Sequence, residues 1–211
     1  MTSAMFPDAN IFLLLSIAFA AGYTSGSIPY GLLIGRITGL GDIRKSGSGN
    51  IGATNMLRVG GQKLAAFTLV LDALKGTVPV IIFKACSPEC AIAAALGAFI
   101  GHLFPVWLKF KGGKGVATSI GVMLGLSWPV GAAVIVTWLL MATIFRFSSL
   151  AALVAIGFSP VFAMLWGTLD MAALALLISA MVWIKHRANL LRLLDGTEPK
   201  IGGTKKEAGG A

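Results

Sequence analysis

Charge is scarce in this 211-residue chain: 12% of residues are Asp, Glu, Lys or Arg, 56% are apolar, and the mean hydropathy is +0.86. So few charges cannot cover a water-soluble surface, which excludes an ordinary soluble globule. Histidine and cysteine are scarcer still, with two of each. Cys86 and Cys90 are separated by Ser-Pro-Glu with no histidine beside them, and no H-E-x-x-H or other His–carboxylate set occurs, so no metal site is expected. The cysteines read as incidental or as a local disulfide. G-x-S-x-G is absent, and neither His102 nor His186 opens a His-x4-Asp pattern, so nothing supports a covalent or metal-dependent mechanism. Residues 1–10 carry no positive charge ahead of the first apolar run, so the start of the chain does not read as a cleavable signal.

Apolar runs are present in abundance, at Ile11 to Gly35, Lys63 to Phe83, Ala91 to Leu108, Gly115 to Ser127, Val130 to Phe145, Leu150 to Trp166 and Met171 to Ile184. At about 20 residues per crossing they account for most of the chain. The reading is an all-α integral membrane protein of seven transmembrane helices, one membrane-embedded domain over 1–211 with a polar tail from about 187. Gly115 to Phe145 as one helix would be roughly 46 Å long, too long for a hydrocarbon core of about 30 Å. Trp128-Pro129 interrupts it, so a hairpin of two helices is expected, with Lys114 and Arg146 on one face. Gly97, Gly101, Gly121, Gly125 and Gly131 suit close helix packing in lipid.

Lys and Arg number 17 against 8 Asp and Glu, a formal +9. No long basic tail or aromatic-interleaved basic stretch points to nucleic acid. With the N-terminus outside and the C-terminus cytoplasmic, the cytoplasmic segments hold Arg36, Arg44, Lys45, Arg58, Lys63, Lys109, Lys111, Lys114, Arg146, Lys185, Arg187, Arg192, Lys200, Lys205 and Lys206. That leaves Lys75, within a span, and Lys84, in an external turn. The other external charges are Asp8, Glu89 and Asp170, so the asymmetry follows the positive-inside rule.

Four polar, glycine-bearing clusters then fall at one membrane level: DIRKSGSGNIGATN (42–55), KFKGGKGVAT (109–118), RFSS (146–149) and HRANLLRLLDGTE (186–198). Gly47-Ser48-Gly49-Asn50-Ile51-Gly52 matches G-x-G-x-x-G, but no strand precedes it, so the dinucleotide reading fails. A glycine-rich backbone can still form a nest for a phosphate or oxyanion, and Arg44 and Lys45 sit beside it. Lys111-Gly112-Gly113-Lys114-Gly115 is a second candidate anion loop. Ser148 and Ser149 suit an N-cap pair. His102 suits a structural hydrogen bond, Asp72 and Lys75 a buried i, i+3 ion pair, and Glu198 a brace for the tail.

At these clusters the chain resembles the bacterial acyl-phosphate:glycerol-3-phosphate acyltransferase family (PlsY), from Gly26-Ser27-Ile28-Pro29 through GHLFPVWLKFKGGKGVAT and RFSS to HRANLLRLLDGTE. The resemblance implies a seven-span inner-membrane enzyme with its site at the cytoplasmic face. Such an enzyme transfers a fatty acyl group from acyl phosphate to the 1-hydroxyl of glycerol 3-phosphate, without metal, cofactor or acyl-enzyme, giving lysophosphatidic acid and phosphate. Carried onto this sequence, it places acyl phosphate at Ser46, Gly47, Ser48, Gly49, Asn50, Gly52, Ala53, Thr54 and Asn55. Glycerol 3-phosphate falls at Arg44, Lys114, Ser148, Ser149, His186 and Asn189, with catalytic roles at Ser48, His186 and Asn189. The implied partners are the two substrates and the bilayer, with no nucleic acid and no obligate protein partner. An anion transporter, the rival class, predicts polar residues along several spans and an internal repeat, neither of which is seen.

Overall fold

The computed structural model describes residues 11–202, which are entirely helical apart from turns and loops. Asp8, Lys205 and Lys206, counted in the charge argument, lie outside the described residues, as does the rest of 1–10 and 203–211. The helices are α1 (Ile11–Gly26), α2 (Tyr30–Ile37), α3 (Ala53–Lys84), α4 (Pro88–Leu103), α5 (Val116–Leu126), α6 (Trp128–Phe145), α7 (Ser148–Trp166), α8 (Leu169–Lys185) and α9 (Arg187–Leu194).

Each apolar run becomes helix, but the ends shift for physical reasons. The first run breaks at Ser27-Ile28-Pro29, because proline lacks the N–H that would continue α1 into α2. The second extends back to Ala53 and bends at Gly61, whose φ of 81° lies outside the helical region. Gly115 to Phe145 is two helices hinged at Ser127, which ends α5 and precedes α6. The polar tail from about 187 begins as a helix, α9, turned 62° from α8.

Among the described residues, five segments are long and apolar enough to cross a membrane: Ile11–Ile37, Ala53–Lys84, Pro88–Leu108, Trp128–Phe145 and Ser148–Trp166. The bent pair α8 and α9 makes a sixth. The remaining apolar run, α5, has 11 residues, roughly 16 Å of helix. It is half a crossing long, and its contacts say where that half lies. Thr118 Oγ1 donates to the Asp72 carbonyl at 2.9 Å, Thr77 Oγ1 to the Gly121 carbonyl at 2.8 Å, and Lys84 Nζ to the Leu126 carbonyl at 2.7 Å, closing the C-terminus of α5. From Asp72 to Lys84 is roughly 18 Å along α3. Thus α5 covers only the half of α3 that ends at Lys84. The segment from Phe104 to Gly115 folds back on the end of α4, where the Gly112 and Gly113 N–H groups donate to the Leu103 and His102 carbonyls at 3.2 and 3.1 Å.

Packing elsewhere is close. Gly22 and Gly26 of α1 lie against the backbone of Ala94 and Ala98, while Gly97 and Gly101 of α4 lie against that of Phe19 and Tyr23, so both helices present a small-xxx-small face to the other. The main core gathers Phe99, Leu103, Met123, Ile156 and Ile178 from four helices. Two buried polar clusters join elements. Lys75 Nζ lies 2.6 Å from Asp72 Oδ1 and donates at 2.8 Å to the Ile28 carbonyl, which also accepts from the Tyr30 N–H at 3.2 Å in the break before α2. His102 Nδ1 is 3.1 Å from Thr118 Oγ1. These are the ion pair and structural hydrogen bond the sequence suggested. Cys86 and Cys90 are free thiols, so the disulfide alternative falls.

Candidate active site

The loop before α3 is built around one side chain. Asn55, buried in the first turn of α3, donates from Nδ2 to the Ile43 and Asn50 carbonyls, both at 2.8 Å, and accepts at Oδ1 from the Ser48 N–H at 2.7 Å. The Ser48 hydroxyl is 3.2 Å from the same oxygen. Gly47 turns the chain with φ of 65°, and a Cβ there would overlap Asn55 Oδ1. So Asn55 shapes the nest, while Ser46, Ser48 and Gly49 form its exposed rim. Gly52 precedes α3 with no side-chain cap, so the first-turn N–H groups at Ala53 and Thr54 point outward with the positive end of the helix dipole. Arg44, beside the nest, is already committed to Asp42 through Nε at 2.9 Å and Nη2 at 2.6 Å. Those hydrogen bonds hold the Asp42 carboxyl at about 2.

Three other segments meet this loop. Thr54 Oγ1 is 3.0 Å from Ser148 Oγ, joining the starts of α3 and α7. Ser148 and Ser149 are not the cap of α7; Phe147 is, with no side-chain cap bond, and the serines lie inside the first turn. Lys114 Nζ, just ahead of α5, donates to Asn189 Oδ1. Asn189 Nδ2 donates to Glu198 Oε1 at 2.6 Å, the same oxygen accepts from Ser149 Oγ at 2.7 Å, and Arg192 Nε reaches Glu198 Oε2 at 2.7 Å. The uncapped N-termini of α3, α5 and α7 are therefore tied into one polar assembly.

A cleft of about 240 Å³ opens in it, lined by Ser48, Gly49, Asn50, Gly112, Gly113, Lys114 and Lys185. Two ammonium groups and no carboxylate line it. The Lys111–Gly115 loop is not a second backbone nest: its Gly112 and Gly113 N–H groups are consumed by α4 carbonyls, and a Cβ on Gly113 would strike the His102 ring. What it contributes is Lys114, which burial, with repulsion from Arg192 and Arg58, lowers to about 8 against the opposing attraction of Glu198. Burial, then the Lys114 charge, lowers His186 to about 4, so the imidazole is neutral at neutral pH. Its Nδ1 lies 2.8 Å from the Val182 carbonyl. A carbonyl can only accept, so the proton sits on Nδ1 and Nε2 is left as an acceptor. Burial opposes ionisation of Glu198, but hydrogen bonds from Ser149, Asn189 and Arg192 outweigh it and lower the carboxyl.

All four polar clusters thus meet at one end of the helix bundle. The profile of the glycerol-3-phosphate acyltransferases matches residues 16–196. The chain belongs to that family. It is 58% identical over 188 residues to a glycerol-3-phosphate acyltransferase of Mesorhizobium japonicum, covering 89% of this chain and 96% of the relative. Identity to the Maricaulis maris glycerol-3-phosphate acyltransferase is 55% over 197 residues, 92% and 91% of the two chains. Two crystal structures of PlsY, an integral membrane glycerol 3-phosphate acyltransferase, superpose on it at 34% identity. The glycerol 3-phosphate form gives a TM-score of 0.82 over 90% of this chain and 95% of that one, and the lysophosphatidic acid form 0.80 over 90% and 94%. The protein is accordingly an integral membrane acyltransferase of the glycerol-3-phosphate acyltransferase family.

Within this family site, Glu198 has more than a tail-bracing place: it is the buried hub that fixes Ser149, Asn189 and Arg192 together. An acid nine residues past Asn189 in a polar run gives no sequence sign of that. Lys185 reads in the sequence only as a basic flank of α8, yet it lines the cleft.

Proposed function

We propose that the chain moves a fatty acyl group from acyl phosphate to the 1-hydroxyl of glycerol 3-phosphate, releasing lysophosphatidic acid and inorganic phosphate. The observation that carries this is the cleft between the Ser48–Asn50 rim and the ammonium groups of Lys114 and Lys185, a basic, carboxylate-free place for phosphate beside the open start of α3. In this reading Ser46, Gly47, Ser48, Gly49, Asn50, Gly52, Ala53, Thr54 and Asn55 form the donor's seat, where the first-turn N–H groups of α3 face the carbonyl oxygen as negative charge develops on it, joined by the Ser48 hydroxyl when it turns from Asn55 Oδ1. Lys114, Ser148, Ser149, His186 and Asn189 hold the acceptor. Arg44 joins them once it gives up part of its hold on Asp42.

An acyl phosphate is a mixed anhydride with a good leaving group, so alignment of the hydroxyl with the carbonyl carbon supplies most of what the reaction needs. Neutral His186, its Nε2 an acceptor, orients that hydroxyl by a hydrogen bond. A pKa of about 4 makes it a weak base, and a substrate phosphate, with a second pKa near 6, is the better proton acceptor. In this reading the transfer proceeds without metal or acyl-enzyme. We further read one domain over 1–211 with seven crossings, the short helix α5 being the fourth. The N-terminus lies outside, and the C-terminus and cleft face the cytoplasm of a bacterial inner membrane.

Purified protein should release phosphate only when acyl phosphate and glycerol 3-phosphate are both present, at a rate indifferent to EDTA. Release from acyl phosphate alone would make the protein a phosphatase, and a metal-restorable loss in EDTA would remove the proposed mechanism.

A further inference from the structure

Two ammonium groups line the cleft, and their surroundings differ. Lys114 is held by Asn189 and, beyond it, by the Glu198 hub. Lys185, the last residue of α8, has no carboxylate within ion-pair distance among the described residues. Its Nζ lies 4.2 Å from the centroid of the Phe104 ring, a cation–π contact that holds the charge in place without neutralising it. Phe104 is itself fixed where α4 ends, its carbonyl accepting from the Tyr23 hydroxyl at 2.8 Å and its N–H donating to the Ile100 carbonyl at 2.8 Å. Lys185 is therefore a half-buried, pre-positioned cation facing the Ser48–Asn50 rim, with no protein anion to satisfy it.

We infer that Lys185 is a substrate-binding residue that supplies the counter-charge for the phosphate of the acyl donor. The inference rests on the acyl-phosphate reading above and adds a residue to it. Of the residues that line the cleft only Lys114 and Lys185 are cations, and Lys114 is turned toward Asn189, so Lys185 is the lining cation left to meet a phosphate on the Ser48–Asn50 side. His186 follows Lys185 at the turn between α8 and α9 and its ring is tied to the Val182 carbonyl, so the two neighbours serve different groups. During transfer the bond between the acyl carbon and the bridging oxygen breaks, its electron pair stays on the departing phosphate, the acceptor's hydroxyl oxygen takes its place on carbon, and the hydroxyl proton passes to a substrate phosphate. The charge gathered by that phosphate falls on the side of the cleft that Lys185 occupies, so the residue acts on departure as well as binding.

Two-substrate kinetics on Lys185→Met, Lys185→Arg and Phe104→Leu test this. Lys185→Met should raise the KM for acyl phosphate about tenfold or more, the size of one lost charge-assisted hydrogen bond, and weaken inhibition by inorganic phosphate in parallel. The KM for glycerol 3-phosphate should change less than about twofold, and Lys185→Arg should recover most of the loss. Phe104→Leu, which leaves the lysine but removes its ring, should raise the same KM to a smaller degree and decides the matter if Lys185→Met does not fold. An unchanged acyl-phosphate KM in Lys185→Met, or a rise confined to glycerol 3-phosphate, overturns the assignment. If the unmodified protein turns over no acyl phosphate at all, the functional reading fails instead, so the two failures are separable.

Discussion

Lys114 and His186 are adjacent in the site and both are shifted by burial, but with opposite consequences for pH. Lys114, lowered to about 8, is charged below that pH and loses its charge as pH rises through it, so its hold on a phosphate weakens on the alkaline side. The KM for glycerol 3-phosphate should climb above about pH 8 in the native enzyme. In Lys114→Arg, whose guanidinium stays charged, that climb should vanish. Lys114→Ala should raise the same KM about ten- to a hundredfold at neutral pH, leaving the acyl-phosphate KM near its native value. His186 is already neutral across this range, so an acidic limb near pH 6 belongs to a substrate phosphate. His186→Asn, which keeps a hydrogen-bonding group and cannot titrate, should retain measurable turnover with that limb intact. Loss of the limb in the asparagine variant would instead identify the imidazole as the base.

The elements that present these residues are set by what the sequence puts beneath them. Hydropathy marks seven apolar runs but is blind to how deep each sits, which is why α5 reads as a crossing although its bonds to Asp72, Thr77 and Lys84 place it along half of α3. The glycines of Lys111–Gly115 suggest an anion nest from sequence, because both a nest and a close approach demand the absence of a side chain; only the pairing of Gly112 and Gly113 with α4 separates the two. The Asp72–Lys75 pair, legible from its i, i+3 spacing, joins α3 to the Ile28 carbonyl in the α1–α2 break. Replacing one member leaves a buried unpaired charge, so Lys75→Met should destabilise by about 3–5 kcal/mol, whereas Asp72→Leu with Lys75→Met should recover most of that. Thermal unfolding in detergent measures both. Equal losses in the single and double variants would mean the pair is not what holds the break.

At the scale of the whole molecule, one geometric fact organises the rest: the segments before α3, α5, α7 and α9 all meet at one end. Each intervening helix pair must therefore go out and return, and the clustering of basic residues in those segments is the same fact seen in the sequence. Four motifs widely separated along the chain were legible as one site because their charges and glycines share a membrane level. The Glu198 hub and the Lys185 position were not, since they depend on how α9 turns back from α8. Cysteines introduced singly at positions 48, 114, 148 and 186 in a cysteine-free background should be shielded from an impermeant thiol reagent on intact cells and labelled once the membrane is opened. The native Cys86, at the opposite end, should label from outside. Labelling of 48 or 114 on intact cells would invert the orientation.

The central claim is the identity of the donor, and product formation addresses it directly. Purified protein given labelled glycerol 3-phosphate should form lysophosphatidic acid when acyl phosphate is the only acyl source, and essentially none when acyl-CoA replaces it. Efficient product formation from acyl-CoA, or none from acyl phosphate, would contradict the account.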